Sequence, residues 1–572
     1  MSSTYDTVLA RLRDAFDTLA PGADPVLRTS DRDDFQANGV MSLAKRLGRA
    51  PREVAAEVVA AAVLDDIAEV AVAGPGFLNV TLHPSFLDAQ LATLVRDERL
   101  GLAPAASPRR VVLDYSAPNV AKEMHVGHLR STVIGDALAR MYRFAGHQVI
   151  ARNHVGDWGT NFGMLIEHLL DLGEDRAIAA LSIGDLDAFY REARLAFDAD
   201  EGVRERARGR VVALQSGDAE SLRLWRVLVD QSVAYFSEVY AKLDVTLTPD
   251  DVVGESYYNE MLDDVVHDLD ERGLLVESDG ARCVFPEGFV NRDGEPLPLI
   301  VQKRDGGFGY AASDLAAVRD RVAVLGANEM LYVVGAPQVQ HLEMVFAVAR
   351  LAGWLPDAVR CEHVTFGNVL GPDHKMFKTR QGQTVKLVSL IDEALERAYV
   401  TLEERARDLD ADARFELATQ IARAAIKYAD LSTERQHDYV FDLDRMIAFE
   451  GDTGPYLQYA HARVMSIFRR VGVGWDGSAT HFALSSAPER QLALGLLALP
   501  EAFASAVASL QPHRLCTYLF DLAQRFTAFY DTCPVLASEG ELRDERLALC
   551  DLTARTLALG LSVLGIDAPD QM

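Results

Sequence analysis

The feature that most constrains the fold is a strand–loop–helix unit at residues 111–144. Val111-Val-Leu is a short apolar run with β-branched residues, which predicts a strand. From Thr132 to Phe144 the apolar residues recur at helical spacing, which predicts a helix. Between them His125-Val-Gly-His128 lies at the predicted mouth of the helix. The carboxyl end of this strand is therefore the expected ligand site of an α/β fold.

The residue types in this loop indicate phosphate chemistry. Free backbone N–H groups and the helix dipole favour an anion at a helix N-terminus. His125 and His128 can donate hydrogen bonds to a phosphorus centre that gains charge, and Gly127 lets a ribose or base come close to the backbone. The loop predicts transfer at a nucleotide α-phosphate.

The rest of the chain divides into three predicted domains. Residues 1–107 read as a small α+β unit, with helices over Thr4–Leu19 and Pro51–Asp66. Residues 108–394 alternate strands and helices, which predicts a doubly wound parallel sheet, and about 175–245 form a charged helical insertion. Residues 395–572 show almost no strand signal and predict an all-helical domain.

Composition leaves the function open but limits the class. The 49% of hydrophobic residues are typical of a globular protein, and the net charge is −28, from 57 Lys and Arg against 85 Asp and Glu. Local basic stretches, such as 109–154, still allow a specific RNA partner. The five cysteines are scattered, which favours free thiols and no bound metal. With no signal peptide and no uninterrupted bilayer-length apolar run, we expect a cytoplasmic protein without a membrane partner.

The loop with its flanks resembles the HIGH signature of class I aminoacyl-tRNA synthetases. The run from Ser116 to Thr132 is similar to the Ser-x-Pro-Asn-x-Ala-Lys-x-x-His-x-Gly-His-Leu-Arg-Ser-Thr form of arginyl-tRNA synthetases. The resemblance implies a Rossmann-type catalytic domain, an additional N-terminal domain that contacts tRNA, and a C-terminal anticodon-binding helix bundle. His125 and His128 would be catalytic and, with Gly127, would bind ATP.

A second segment, Lys375–Lys386, resembles the phosphate-binding KMSKS loop of the same family in its Phe-Lys-Thr-Arg-x-Gly form. Phe377, Lys378 and Thr379 would then bind ATP, and Lys378 and Arg380 would be catalytic. The second lysine of the motif is missing. Either Arg380 replaces it, or Lys122 just before the HIGH segment compensates as in arginyl enzymes of this type, because charge accumulates on the α-phosphate during attack.

The resemblance also assigns substrate residues, since an arginine guanidinium pairs with carboxylates. The residues implied to bind arginine are Ser116, Asn119, Glu255, Tyr310, Asp314 and Gln338. The residues implied to bind tRNA are Phe77 and Asn79 in the N-terminal domain and Tyr456, Tyr459 and Arg463 on one face of a C-terminal helix. Ordinary strand positions and an aromatic core stripe are the alternatives for these two groups.

The implied reaction joins arginine to the 3′ end of tRNA(Arg) through an arginyl-adenylate. Its substrates would be ATP with Mg²⁺, L-arginine and tRNA(Arg), and the enzyme is expected to be a monomer. A cysteinyl enzyme would need clustered zinc ligands, and a small nucleotidylyltransferase would be far shorter than 572 residues. An RNA-binding paralogue without activity would be expected to lose one of the two histidines.

Overall fold

The structure is a computed structural model that describes residues 3–30, 33–182, 186–376, 385–405, 409–472 and 481–572. The chain forms two compact units. Unit 1 contains residues 1–104, 449–562 and 567–572, and unit 2 contains residues 105–448 and 563–566. The N-terminal and C-terminal parts of the chain thus share one unit.

The N-terminal part of unit 1 is an antiparallel sheet covered by helices. Its elements are α1 (Thr4–Leu19), β1 (Leu27–Thr29), β2 (Phe35–Ala37), α2 (Val40–Leu47), α3 (Pro51–Ala61), β3 (Ala68–Ala73), β4 (Phe77–Leu82) and α4 (Pro84–Leu94), and the strand order is β1-β2-β4-β3. Helix α1 has the predicted bounds, whereas α3 ends at Ala61 and not at Asp66. After α3 the chain makes a turn in which the carbonyl of buried Leu64 accepts hydrogen bonds from the Ile67 and Ala68 N–H groups. This turn ends the helix and leads the chain into β3.

Unit 2 is built on a parallel sheet of order β11-β10-β5-β6. Its elements up to residue 370 are β5 (Arg110–Asp114), α5 (Val126–Phe144), β6 (Gln148–Arg152), α6 (Asn161–Leu172), α7 (Glu174–Ser182), α8 (Leu186–Ala199), α9 (Glu201–Gln215), α10 (Ala219–Lys242), α11 (Leu262–Glu271), β7 (Val276–Ser278), β8 (Ala281–Val284), β9 (Leu299–Gln302), α12 (Tyr310–Ala323), β10 (Glu329–Tyr332), α13 (Val339–Leu351), β11 (Arg360–His363) and β12 (Val369–Leu370). The direction of winding reverses between β5 and β10, and a ligand crevice forms at such a point.

The four parallel strands end in register. Asp114 at the end of β5 lies opposite Arg152 of β6 and Tyr332 of β10, and Tyr332 lies opposite His363 of β11. Asp114 is also buried against Arg321 of α12, with 2.6 Å between Oδ2 and the guanidinium. The buried ion pair of Asp114 and Arg321 thus fixes the carboxyl edge of the sheet, from which the loop to α5 begins.

Unit 2 extends beyond the predicted boundary at residue 394. The next elements are α14 (Leu387–Arg405), α15 (Ala411–Leu431), β13 (Tyr439–Val440) and α16 (Leu443–Met446). Arg130 of α5 forms a buried ion pair with Asp430 of α15 at 3.3 Å and donates to the His437 carbonyl at 2.7 Å. These helices belong to the same unit as the sheet because buried charges join them to α5, a long-range contact that helical periodicity cannot reveal.

A buried lysine in α15 completes unit 2. Lys427 is fully buried, and its Nζ donates to the carbonyl oxygens of Asp244 at 2.9 Å and Gly565 at 2.7 Å. Gly565 has φ +72°, and a Cβ there would lie 2.8 Å from Lys427 Nζ and 2.9 Å from Arg140 Nε. Residue 565 must therefore be glycine for the lysine to keep this carbonyl partner.

The C-terminal part of unit 1 is helical. Its elements are α17 (Gly454–Val471), α18 (Ala487–Leu497), α19 (Leu499–Ser509), α20 (His513–Thr532) and α21 (Gly540–Val563). The stretch Ala487–Ser509 is long and apolar enough to cross a membrane by composition, with a mean hydropathy of 1.6. In the structure half of that stretch is buried, and Glu489 and Arg490 within it form ion pairs with Arg546 and Asp34. The stretch is therefore packed as two core helices.

Candidate active site

The loop between β5 and α5 has an unusual backbone. Ser116, Ala117 and Ala121 have φ of +75°, +48° and +59°, in the left-handed region that side-chain-bearing residues rarely adopt. Each such residue costs about 1 kcal/mol or more, and the surrounding structure must compensate. Strain concentrated in one short loop is typical of a binding or catalytic segment.

Hydrogen bonds from elsewhere in unit 2 hold the first part of this loop. The Ser116 hydroxyl is 2.8 Å from the Tyr240 hydroxyl and accepts from Thr132 Oγ1 at 2.9 Å. Asn153 donates to the Tyr240 hydroxyl at 2.9 Å and accepts from the Ala117 N–H at 2.9 Å. The Ser116 side chain, predicted to bind arginine, is thus buried in a network that fixes the loop.

The helical insertion holds the second part. The Ala121 N–H donates to Ser232 Oγ of α10 at 2.9 Å, and the Glu123 N–H donates to Asp187 Oδ1 of α8 at 3.0 Å. Both contacts satisfy backbone donors that the strained loop cannot satisfy itself. The insertion is therefore part of the support of the site.

The two histidines cap α5 reciprocally. His125 is the N-cap, and its Nδ1 accepts from the Gly127 N–H at 3.0 Å, while His128 Nδ1 accepts from the His125 N–H at 3.1 Å. Their rings lie 4.1 Å apart. A Cβ on Gly127 would lie 2.7 Å from the His125 ring, so the motif requires glycine there. Because each Nδ1 accepts, each neutral ring carries its proton on Nε2 and presents a donor.

Both rings are neutral at physiological pH. Burial, the neighbouring His125 and the charge of Lys122 lower the pKa of His128 to about 3. Burial and Lys122 also lower the pKa of His125, against an opposing effect of Asp187. The pair therefore offers two N–H donors without a fixed positive charge, and Lys122 supplies the nearby cation.

The end of the second motif, Val385 and Lys386, lies beside this helix mouth. Phe377, Lys378, Thr379 and Arg380 lie outside the described residues. The residues that follow 377–384 pair with the segment around His125: the Val126 N–H donates to the Val385 carbonyl at 3.0 Å, and the Leu387 N–H donates to the Met124 carbonyl at 2.9 Å.

An ion pair strengthens this junction. Lys386 Nζ lies 3.0 Å from Glu123 Oε1, and the Glu123 side chain is buried while Lys386 is half-exposed. The last two residues of the second motif are therefore adjacent in the structure to the segment around His125, more than 240 residues earlier in the chain.

Three carboxylates form an acidic cluster beside the loop: Asp157, Glu255 and Asp314. Burial, and repulsion by Asp157 and Asp314, raise the pKa of Glu255 to about 8. Burial also raises the pKa of Asp157. A carboxyl group with so high a pKa indicates a cation-binding site, because a bound cation would relieve the repulsion between the three carboxyl groups.

Separate elements hold the members of this cluster. Asp157 accepts from the Ser256 N–H at 2.9 Å and its hydroxyl at 2.6 Å, and a Cβ on Gly254 would lie 2.0 Å from an Asp157 oxygen. His341 Nε2 of α13 lies 2.6 Å from Asp314 Oδ2 of α12. Asp157 and Asp314 are thus held in place by neighbouring residues of unit 2.

Asn119 links the acidic cluster to the histidine loop. The Val120 N–H donates to the Gly156 carbonyl at 3.0 Å, and a Cβ on Gly156 would lie 2.3 Å from Asn119 Oδ1. Asn119 itself is exposed, and its backbone pairs with Gly156, the residue just before Asp157. The Asn119 side chain is therefore accessible to a ligand that lies between the loop of His125 and His128 and the acidic cluster.

The other predicted substrate residues lie at helix starts. Gln338 is exposed at the N-cap of α13, three residues before His341. Tyr310 is the first residue of α12 and is 72% exposed, whereas Asp314 on the next turn is partly buried. Tyr310 and Asp314 share a helix, but the structure does not enclose Tyr310 together with the acidic cluster.

The predicted tRNA residues of the N-terminal domain lie on one face of β4. Phe77 and Asn79 alternate with buried Leu78 and Val80 and are half-buried themselves. Gln36 Nε2 of β2 donates to Asn79 Oδ1 at 2.8 Å. Because successive side chains of a strand alternate between its two faces, Phe77 and Asn79 lie on the same face of β4.

The predicted C-terminal residues lie along α17. Tyr456 packs edge-on against Phe520 at 5.6 Å, and Tyr459 is 45% exposed. The Arg463 guanidinium lies 4.6 Å from the centroid of the Tyr530 ring. The three residues are half-buried or exposed, so this face is not a core stripe.

Sequence reasoning missed several members of the site. His341 lies one helical turn after Gln338, a residue already singled out, whereas no residue of the Gly-Asp-Trp-Gly turn that contains Asp157 had been assigned to the site. Asp187 and Tyr190 of the insertion gave no such signal, because an amphipathic helix presents many equivalent polar positions.

Comparison with known families accounts for nearly the whole chain. The model of the class I (R) tRNA synthetase catalytic domain matches residues 90–443, that of the arginyl-tRNA synthetase N-terminal domain matches 6–82, and that of the DALR anticodon-binding domain matches 457–572. The chain belongs to the arginyl-tRNA synthetases. The predicted fold class, a Rossmann-type catalytic domain with an α+β N-terminal domain and an all-α anticodon-binding domain, is confirmed.

Relatives in this family span the same length. The arginine–tRNA ligase of Thermobifida fusca (strain YX) is 53% identical over 99% of both chains, and that of Streptomyces coelicolor is 49% identical over 100% of both. The crystal structure of the Plasmodium falciparum arginyl-tRNA synthetase covers 100% of both chains at 29% identity with a TM-score of 0.86. That of Thermus thermophilus gives 26% identity, 99% coverage of both and 0.83.

Proposed function

We propose that this arginine–tRNA ligase forms arginyl-adenylate from ATP and L-arginine at the acidic cluster and the two histidines, and then transfers the arginyl group to the 3′ end of tRNA(Arg). The observation that carries the proposal is the acidic cluster of Asp157, Glu255 and Asp314 beside the two histidines. A planar guanidinium pairs with several carboxylates at once, and its charge removes the repulsion that raises the pKa of Glu255.

The histidine loop suits the activation step. The arginine carboxylate attacks the ATP α-phosphate and pyrophosphate leaves, so negative charge moves onto the phosphate oxygens. The Nε2–H groups of His125 and His128 would donate to those oxygens, and Gly127 leaves room for the nucleotide. Neutral imidazoles suit this task because they bind the developing charge without holding the product as an ion pair would.

Cations complete the phosphate site. Lys122, beside the histidines, would bind a phosphate oxygen, and Lys378 and Arg380 would act from the segment that leads into Lys386. Phe377 and Thr379 would contact ATP from the same segment. Mg²⁺ enters as part of the ATP substrate, chelated by its phosphates.

The remaining substrate residues orient arginine between the two clusters. Asn119 and Gln338 are proposed to hold its α-amino end, because both amides are exposed at the edge of the site. Glu255 and Asp314 would hold the guanidinium and Tyr310 would cover it. Ser116, whose hydroxyl binds Tyr240, would contribute through the shape of the loop.

The tRNA is proposed to contact both parts of unit 1. Phe77 and Asn79 would stack on and hydrogen-bond an unpaired base, and Tyr456, Tyr459 and Arg463 would bind the anticodon. The functional domains are proposed as 1–107, 108–394 and 395–572, although α14–α16 pack in unit 2. We further propose that the enzyme works in the cytoplasm as a monomer.

Aminoacylation with each of the twenty amino acids and total tRNA tests the proposal. Only arginine should be attached, and Asp314→Asn should weaken the use of arginine by about 2–5 kcal/mol because a buried cation loses its partner. Equal use of lysine or glutamine by the unaltered protein would reject the assigned pocket, and no attachment of any amino acid would reject the activity.

A further inference from the structure

Helix α8 of the insertion places two residues against the histidine loop. Asp187 and Tyr190 are three residues apart and so lie on one face of α8. Asp187 Oδ1 accepts from the Glu123 N–H at 3.0 Å, and Lys122 Nζ lies 4.7 Å from the centroid of the Tyr190 ring. Two neighbouring residues of the loop are therefore held by two neighbouring turns of one helix.

The contact with Tyr190 leaves the charge of Lys122 available. Within the described part of the chain, no carboxylate lies within ion-pair distance of Lys122 Nζ. The ammonium nevertheless lowers the pKa of both His125 and His128, so it lies within electrostatic reach of the two rings. An aromatic face attracts an ammonium without neutralising it, whereas a carboxylate would compete directly with phosphate.

We propose that Tyr190 is a positioning residue that holds Lys122 beside the histidines, so that its ammonium meets the α-phosphate of ATP. The inference rests on the proposed function, since it assumes that the histidine loop binds the triphosphate. Tyr190 touches no reacting atom. Its ring restricts the flexible lysine side chain to one region, and less entropy is then lost when the phosphate binds.

Two substitutions distinguish the contribution of the Tyr190 ring from that of its hydroxyl group. Tyr190→Phe keeps the aromatic face, and Tyr190→Leu removes it with a side chain that still packs. In ATP–pyrophosphate exchange with arginine and tRNA(Arg) present, Tyr190→Leu should lower kcat/KM for ATP by about 3- to 30-fold, as expected for loss of a cation–π contact. Tyr190→Phe should stay within about twofold of the unaltered enzyme, and KM for arginine should not change in either variant.

The Lys122→Met background tests whether the effect passes through the lysine. There, Tyr190→Leu should change kcat/KM for ATP by less than about twofold, since the ammonium that the ring positions is gone. A full-size effect of Tyr190→Leu in that background would overturn the proposal. Equal impairment by Tyr190→Phe and Tyr190→Leu would overturn it as well, because both share only the lost hydroxyl.

Thermal unfolding of each variant distinguishes positioning from packing. Tyr190→Met provides a second variant without a ring and with a flexible apolar side chain. At least one of the two variants without a ring should melt close to the unaltered enzyme while losing activity; early unfolding of both would assign Tyr190 to packing and reject the proposal. If the unaltered enzyme shows no arginine-dependent exchange, the proposed function fails instead, which is a different result.

Discussion

Protonation of Glu255 should couple arginine binding to pH. Burial and the neighbouring carboxylates Asp157 and Asp314 raise the pKa of Glu255 to about 8, so the carboxyl group is mostly protonated in the free enzyme at pH 7. A bound guanidinium favours the ionised form and lowers that pKa. Binding should therefore release a proton and become stronger as the pH rises towards about 8.

The size of the effect follows from the pKa. At pH 7 a group with a pKa near 8 is about nine-tenths protonated, so arginine should release close to one proton. Between pH 6.5 and pH 8.5 the affinity should rise on the order of 20-fold, because the free energy of deprotonation at pH 6.5 is about 2 kcal/mol. The three carboxylates are coupled, so the titration belongs to the acidic cluster as a whole.

Isothermal titration calorimetry with L-arginine measures both quantities. Titrations at pH 7 in two buffers with different ionisation heats give the number of protons released, and a pH series gives the slope. Glu255→Gln is the matched control: its amide does not titrate, so the proton release and most of the slope should disappear, and the loss of affinity should be smallest at low pH. An unaltered enzyme whose arginine affinity is independent of pH and that releases no proton would refute the reasoning.

Further predictions concern the loop, its junction and the strand edge. His128→Ala should lower ATP–pyrophosphate exchange by about 100-fold with little change in arginine binding, as loss of a transition-state donor does; near-normal exchange would contradict the role. In a double-mutant cycle, Glu123→Gln and Lys386→Met should show a coupling of about 1 kcal/mol in kcat/KM for ATP, and additive effects would exclude the junction as a functional contact. Asp114→Asn should destabilise the enzyme by about 3–5 kcal/mol in urea unfolding, because buried Arg321 loses its partner, and an unchanged midpoint would contradict this. Exchange should be near zero with ATP and arginine alone and appear on addition of tRNA(Arg); strong exchange without tRNA would reject tRNA-dependent activation while leaving the enzyme assignment intact.

The parts of the fold that depend on local sequence were accessible before the structure. The strand ending at Asp114 and the helix after His125 follow from apolar runs and periodicity, and α1 has the predicted bounds. The motifs then identified the mouth of α5 without any long-range information. Local pattern and local structure agree in this segment because the side chains that fix it are close in sequence.

The parts that depend on distant contacts were not accessible. Composition alone does not distinguish Glu255 among 85 acidic residues, and only the family resemblance singled it out. Asp157 was missed, because its importance arises where two separate segments meet. Ala121, whose backbone is left-handed, donates its N–H to Ser232 in a helix more than 100 residues later in the chain. The boundary of unit 2 likewise depends on the buried pair of Arg130 and Asp430, which are far apart in the chain.

The hydrogen bond from Lys427 to the Gly565 carbonyl also affects how the chain can fold while it is being synthesised. Lys427 is buried in unit 2, but one of its carbonyl partners belongs to Gly565, which the ribosome adds well over a hundred residues later. Until residues 563–566 have emerged, this ammonium lacks a partner that it has in the finished structure. The nascent catalytic sheet can form early, but the helices behind it should reach their final packing only late in translation.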